Sequence, residues 1–465
     1  MSVDPHDLLD ELMARVTTGG ANSHDDSKHQ LGHAEEVLAQ RFTAEYGDMT
    51  KYVSLWGQWL IWDGARWRTD NTLEVYDFAR AIARQAAAEV CSAGGSVRRA
   101  AAIASARTVQ AIVTLARAAR EHAALPDDWD TDQFLLATPG GTVDLRTGQV
   151  RDPARDDRIT KSTSVAPGGD CPLWHKFLQR IFDGDAELIA YIKRVLGYSL
   201  TGSVREHALF FFYGTGGNGK SVLLNTWQQI LGDYARTAPM ETFTASSSDR
   251  HPTELAMLRG ARTVIAQETN EGQRWAEAKI KALTGGDTIT ARFMRQDFFS
   301  FSPVFKLLIA GNHKPSLRNV EEAVRRRIHL VPFTVTIPPS ERDPELQAKL
   351  AAEAPGILQW AIEGCLEWQQ VGLAPPKAVL AATGDYLADE DAIGRFIAER
   401  CINVDTGVEE LQTLFSAWRD WCESTGEFAG TRRRFGQALE ARGFVRDLHP
   451  TTRRATFRGI RLAVG

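Results

Sequence analysis

Side chains able to handle a phosphate chain follow one another in the middle of this sequence. The first group is Gly214-Thr215-Gly216-Gly217-Asn218-Gly219-Lys220-Ser221, which fits G-x-x-x-x-G-K-[ST] at every fixed position. Glycines there let the backbone wrap its N–H groups around phosphate oxygens, and a following helix adds the positive end of its dipole. Lys220 is placed to reach the β- and γ-phosphates, the Ser221 hydroxyl to hold Mg²⁺, and Val222 to open the helix. The alternative is a chance glycine turn, which the flanking elements argue against. ATP with Mg²⁺ is the expected ligand. Hydrolysis also needs a carboxylate to orient water, and Glu268, at the end of an apolar run, is the candidate and a second Mg²⁺ ligand. An adjacent pair of acids is common at such a position; here the first is Gln267, with Glu271 the substitute. Asn312 ends another apolar run and could hydrogen-bond the γ-phosphate or the water. Arg325, Arg326 and Arg327 could supply charge to the transition state. Each is weak alone, since an Asn or Arg at a strand end is a structural cap as often as not; their order along the chain is far more specific.

The elements that must position them are legible. His207–Tyr213 is apolar without alternation, the pattern of a strand buried on both faces. Val222, Leu223, Trp227, Ile230 and Leu231 recur at helical spacing, and Gly232 offers a stop. Further buried strands are expected over Arg262–Thr269, Val304–Asn312 and Ile328–Phe333, so their polar ends gather where an open α/β sheet binds ligands. This core runs from 206 to 340. Between two of its strands a helix ends at Gly285-Gly286, and two β-rich runs flank Phe293–Asp297. Arg292 and Arg295 make that hairpin tip basic and suited to a nucleic-acid backbone; a surface hairpin without function is the alternative.

Around the core, residues 1–30 read as a flexible tail. His24, Asp25, Asp26, His29 and His33 sit in or beside it, better explained as solvated linker than as metal ligands. Residues 31–205 read as a mixed α+β region: a helix over 34–46, a small antiparallel sheet over 51–67 turning at Asp63-Gly64, helices over 72–92 and 96–123, a short hairpin near 139–148, and helices over 173–183 and 186–201. Trp56, Trp59, Trp62 and Trp67 could stack bases, but the core of a small domain is the favoured use. Residues 341–404 read as helical. Residues 405–465 read as helices over 408–424 and 431–442, then extended stretches flanking Pro450–Arg454, the order of a winged helix. From Thr431 onward nine arginines face two acidic residues, against a whole-chain net charge of −5, so Arg453 and Arg454 mark a DNA-facing unit. The five cysteines show no C-x-x-C spacing, which argues against a disulfide framework or zinc. No apolar run approaches the roughly 20 residues a membrane span needs, and the acidic N-terminus does not resemble a signal peptide. A cytoplasmic protein with no membrane partner is expected.

The order GTGGNGKS, VIAQETNEG, LTGGDTITAR, LLIAGNH, RRRIHLVPF resembles a superfamily 3 helicase of the phage and plasmid primase–helicase family, which includes the poxvirus-type primase–helicases. Over 35–205, Gly57–Gly64 and Gly141–Gly148 resemble that family's domain preceding the ATPase. The resemblance implies an α/β fold with an AAA+ type P-loop ATPase core and a C-terminal winged helix. It implies a homo-oligomer, a hexameric ring around DNA. It puts Glu268 on the Walker B acid, Asn312 on the sensor, Arg327 (or Arg326) on the arginine finger, and the 292–297 hairpin on the DNA-binding element of the channel. The first 130 residues lack the paired carboxylates and His expected of a primase, so a separate primase or polymerase is expected as partner. The expected function is an ATP-dependent replicative DNA helicase. The alternative is a ring ATPase that loads, melts or packages DNA without processive unwinding. A small-molecule P-loop kinase fits worst, having no use for a channel hairpin or a basic C-terminal unit.

Overall fold

The computed structural model describes residues 34–245, 253–267, 271–295, 297–317 and 322–463. The expected tail and four of its possible ligands (His24, Asp25, Asp26 and His29), like His33, lie outside them. The chain divides into two compact units, Met1–Asp144 with Gln149–Thr163, and Leu145–Gly148 with Ser164–Gly465.

The first unit contains α1 (Glu35–Tyr46), an antiparallel sheet of β1 (Thr50–Val53), β2 (Gln58–Trp62) and β3 (Trp67–Thr69), then α2 (Glu74–Ser92), α3 (Val97–Ile103) and α4 (Ala106–Ala116). A second antiparallel sheet joins β4 (Leu135–Thr138), β5 (Gly141–Asp144) and β6 (Gln149–Arg151). Strand β2 is apolar on both faces because it divides two cores. Trp59 and Ile61 join Leu38, Phe42, Ile82 and Val113 on one side. Leu60 joins Val53, Trp67 and Trp129 on the other, as a period of two requires. Trp59 and Trp67 are core side chains, 6% and 2% exposed, and Trp56 and Trp62 pack against the second cluster. The single helix expected over 96–123 is two. The Ser105 hydroxyl accepts from the Thr108 N–H and caps a new start, which a Ser does better than it continues a helix.

The second unit is built on a five-stranded sheet. In chain order its strands are β7 (Leu209–Tyr213), β8 (Ala235–Thr237) and β9 (Thr263–Gln267), then, after an antiparallel pair β10 (Ile289–Ala291) and β11 (Phe299–Phe301), β12 (Lys306–Gly311) and β13 (Ile328–Pro332). The spatial order is β13-β7-β12-β9-β8 and every neighbouring pair is parallel. Such a sheet needs covering on both faces, which is why Leu209–Phe212 are all buried. The longer helices around this sheet are α5 (Pro172–Ile181), α6 (Ala186–Leu200), α7 (Lys220–Leu231), α8 (Glu277–Gly285), α9 (Leu346–Ala352), α10 (Ala354–Val371) and α11 (Lys377–Asp389). The second unit takes in Ser164 onward, so α5 and α6 belong to the same compact unit as the sheet. The end of α6 is bonded to α7 and to the sheet: Ser199 Oγ accepts from Trp227 Nε1 of α7 at 2.9 Å, the Ser199 carbonyl from Thr263 Oγ1 of β9 at 3.2 Å, and the Leu200 carbonyl from Arg262 at 2.8 Å.

The chain closes with α12 (Ala392–Arg400), β14 (Cys401–Glu410), α13 (Leu411–Thr425), α14 (Arg432–Glu440), β15 (Val445–Leu448) and β16 (Ala455–Leu462). The three strands pair antiparallel in the order β14-β16-β15. Leu414, Trp418, Trp421, Phe435, Leu439, Phe457 and Ile460 form one core with Phe396 of α12. This fold therefore starts before residue 405. The helix expected from 408 begins at Leu411, because Val408–Glu410 still pair with β16.

Candidate functional site

Strand β7 ends at Tyr213, the loop Gly214–Gly219 follows, and α7 begins at Lys220. Gly214 has no room for a side chain: a Cβ would meet Asn218 Nδ2 at 2.3 Å and the Phe333 carbonyl at 2.5 Å. Gly216, Gly217 and Gly219 all hold positive φ, of 102°, 62° and 87°, which only glycine adopts without strain. Asn218 is buried and uses both ends of its amide. Its Nδ2 donates to the Phe333 carbonyl at 3.4 Å, and its Oδ1 accepts from Lys220. Lys220 Nζ donates to Gly214 O at 2.7 Å, Asn218 Oδ1 at 3.0 Å and Asn312 Oδ1 at 3.2 Å. Among the described residues no carboxylate pairs with it, and burial lowers its pKa to about 8. A cation desolvated among neutral oxygens at a helix start, behind a glycine cradle, fits a polyphosphate. The Ser221 hydroxyl stands exposed on the first turn of α7, free to meet a metal ion.

Asn312 directly follows β12, whose last residue Gly311 pairs with Tyr213, so β7 and β12 end level. Gln267, at the end of β9, donates to Asn225 Oδ1 of α7 at 2.8 Å and is an amide tie to the helix. Glu268 lies outside the described residues; Glu271 is exposed.

The three arginines of the run differ in their surroundings. Arg327 is 8% exposed in the single chain and bonded within it. Its Nε donates to Thr284 Oγ1 at 3.2 Å and its Nη1 to the Ala323 carbonyl at 2.6 Å. Burial first, then Arg326, lowers its pKa. Arg325 is exposed and pairs with Asp391 at 3.5 Å. Arg326 is exposed, and among the described residues its guanidinium has no partner.

The β10–β11 pair forms the expected hairpin. Arg292 lies over the Phe298 ring at 4.8 Å, Phe293 stacks on Phe299 at 5.6 Å, and Arg295 takes a φ of 60° at the turn. Met294 and Phe298 are 68% and 61% exposed, so the tip offers apolar as well as basic surface. The other expected basic tip joins β15 to β16. Arg453 and Arg454 are exposed there, with Arg454 3.3 Å from Glu410. Asp391, before α12, accepts from the Gly394 N–H and from Arg442 as well as meeting Arg325.

One neighbour of the loop has no sequence signature. Arg342 lies 2.5 Å (through Nη2) from where a Cβ of Gly217 would stand. It sits beyond β13 in a stretch without periodicity, and only the folded chain brings it there.

Residues 39–183 match the family described as D5 N terminal like, over the region assigned from sequence to the domain preceding the ATPase. Residues 212–327 match a family of unknown function, DUF5906. A protein named "Putative helicase" from Acanthamoeba polyphaga mimivirus is 27% identical over 69% of this chain and 36% of its own length. A "Putative helicase" of Frog virus 3 is 25% identical over 52% of this chain and 27% of its own length. A "Putative primase" of African swine fever virus is 22% identical over 43% of this chain and 22% of its own length. The chain thus spans about a third or less of the length of these relatives. The solved NrS-1 C terminal region superposes with a TM-score of 0.49 at 11% identity, covering 93% of this chain and 99% of that one. The chain carries a D5 N terminal like region and is a relative of the helicase- and primase-named proteins of large DNA viruses.

Proposed function

We propose that the chain is an ATP-dependent replicative DNA helicase of a phage, prophage or plasmid, with an AAA+ type core that acts as a hexameric ring and a C-terminal winged helix. The observation that carries this reading is Lys220, buried at the carboxyl edge of an all-parallel sheet and facing Asn312, in a chain akin to helicase-named viral proteins. ATP is the ligand that loop and lysine suit. Mg²⁺ would be held by Ser221 and Glu268, and would supply charge to the β- and γ-phosphates. Glu268 orients the attacking water and Asn312 holds the γ-phosphate or that water. Arg326, exposed where Arg327 is not, is the finger offered to a neighbouring subunit. Arg292 and Arg295 grip the phosphate backbone of a single strand, and Arg453 and Arg454 meet duplex. A separate primase or polymerase supplies the priming.

The test is a fork-unwinding assay with ATP and Mg²⁺ on duplexes bearing each type of single-strand tail. Strand displacement that stops in Lys220→Ala is the expected result. DNA-stimulated hydrolysis without displacement would favour the ring that loads, melts or packages DNA. Hydrolysis indifferent to DNA would overturn both readings.

A further inference from the structure

The segment following β13 runs over the phosphate loop and is clipped there at two points. The Ile337 N–H donates to the Gly217 carbonyl at 2.8 Å. Glu341 accepts from Arg180 Nε at 3.0 Å and Nη2 at 2.8 Å, which ties the segment to α5. That helix already touches the loop, since a Cβ on Gly219 would meet Ile181 Cγ2 at 2.6 Å and Phe177 Cε2 at 3.1 Å. Residues 337–342 are therefore a strap held against both the loop and the helix beside it.

Arg342 ends this strap. Its Nε donates to the Ile337 carbonyl at 3.0 Å, which fixes the plane of the guanidinium. The Nη2 end lies over Gly217, 2.5 Å from where a Cβ there would stand. The acids on either side are engaged elsewhere, Glu341 with Arg180 and Asp343 with Lys349. Among the described residues neither Nη1 nor Nη2 of the exposed Arg342 has a hydrogen-bond partner. A guanidinium held by one nitrogen, with its Nη2 against a phosphate-binding loop and both Nη groups unbonded, keeps the donors for a paired contact to one phosphate group.

We infer that Arg342 is a nucleotide-binding residue, contacting the polyphosphate of the ATP held by its own subunit. This rests on the proposed ATP site and adds to it a second cation in the same chain, besides Lys220. Position 217 favours glycine for its φ of 62°, and the guanidinium lies in the space a side chain there would enter. Because Ile337 and Glu341 anchor the strap to the loop and to α5, the arginine is presented without a large ordering cost when ATP binds.

The experiment measures equilibrium binding of MgATP to the full chain at several salt concentrations, for wild type, Arg342→Ala, Arg342→Lys and Lys220→Ala. Arg342→Ala should weaken binding about tenfold or more, as loss of a charge-assisted contact implies. The dependence of affinity on salt should become shallower, because one screened charge has gone. Arg342→Lys should recover part of the affinity and the full salt dependence. Melting temperatures should be alike for wild type and both Arg342 variants, the side chain being exposed. Wild-type affinity and salt dependence in Arg342→Ala would overturn the inference while leaving the ATP site standing. Failure of the wild type to bind MgATP, with Lys220→Ala no different, would overturn the ATP reading and Arg342 with it.

Discussion

Lys220 donates to Asn312 at 3.2 Å, joining the start of α7 to the end of β12 across the mouth of the sheet. Two groups that would meet the same phosphate thus hold each other in place. Lys220→Ala is expected to abolish ATP hydrolysis. Asn312→Ala should keep nucleotide binding within a few-fold and lower kcat about 10- to 100-fold, the scale of losing one preorganised donor. Steady-state ATPase assays together with nucleotide titration check both, and unchanged turnover in Asn312→Ala would remove it from the reaction.

Glu268→Gln should bind ATP and fail to turn it over, trapping the protein on DNA. The substitution preserves shape and removes the charge that orients water. Near-normal hydrolysis would move that role, with Glu271 the first residue to test.

Arg326 and Arg327 should separate by assay. Arg327→Ala removes a buried, hydrogen-bonded guanidinium and should lower the melting temperature, by about 1–3 kcal/mol of stability. Arg326→Ala should leave melting unchanged and cut ATPase by about 10³–10⁵, the range for arginine fingers. Mixing Arg326→Ala with Lys220→Ala under subunit exchange should restore part of the rate, since one supplies an intact loop and the other an intact finger. No recovery in rings shown to be mixed would place Arg326 outside the active site.

Arg292→Ala with Arg295→Ala should weaken single-strand binding and flatten its salt dependence, while basal ATPase stays near wild type. Arg453→Ala with Arg454→Ala should instead weaken duplex binding. Binding curves at several salt concentrations distinguish the two tips, and an unchanged slope in either pair would make that hairpin structural.

Burial lowers His329 of β13 to about 4, and its Nδ1 is 2.7 Å from the Tyr191 hydroxyl. The folded protein then binds fewer protons than the unfolded chain, whose His titrates near about 6.5. Stability is fully present above that value and is lost as pH falls towards the folded pKa. His329→Gln should show a shallower fall in melting temperature between about pH 7 and about pH 5. A fall as steep as the wild type's would assign the acid sensitivity to other groups.

What could be read from the sequence was what neighbours in the chain decide. Gly214–Ser221, the apolar strand before it and the helical spacing after it are local, and the structure holds them in that order. The hairpin over 289–301 was visible for the same reason. Which of Arg326 and Arg327 faces outward was not, because it depends on Thr284 from α8 reaching the second of them. Nor could the run around β12 show why it contains a lysine. Lys306 is 1% exposed and donates to the carbonyls of Thr201 and Ser203 just past α6, a partner a hundred residues away in sequence. The same distance hides the place of α6, which looks like any amphipathic helix until its last turn meets the sheet. Ser105 shows the converse. One hydroxyl to one N–H splits a long alanine-rich run that periodicity alone makes continuous.

Asp391 is claimed by two cations from different parts of the second unit, Arg325 beside the exposed Arg326 and Arg442 after the helix of the basic C-terminal fold. Arg325 meets Oδ2 and Arg442 meets Oδ1, so one carboxylate holds both cations at once. Residue 391 is thus a rivet: the turn that carries Arg326 and the C-terminal fold are fastened to each other through a single side chain.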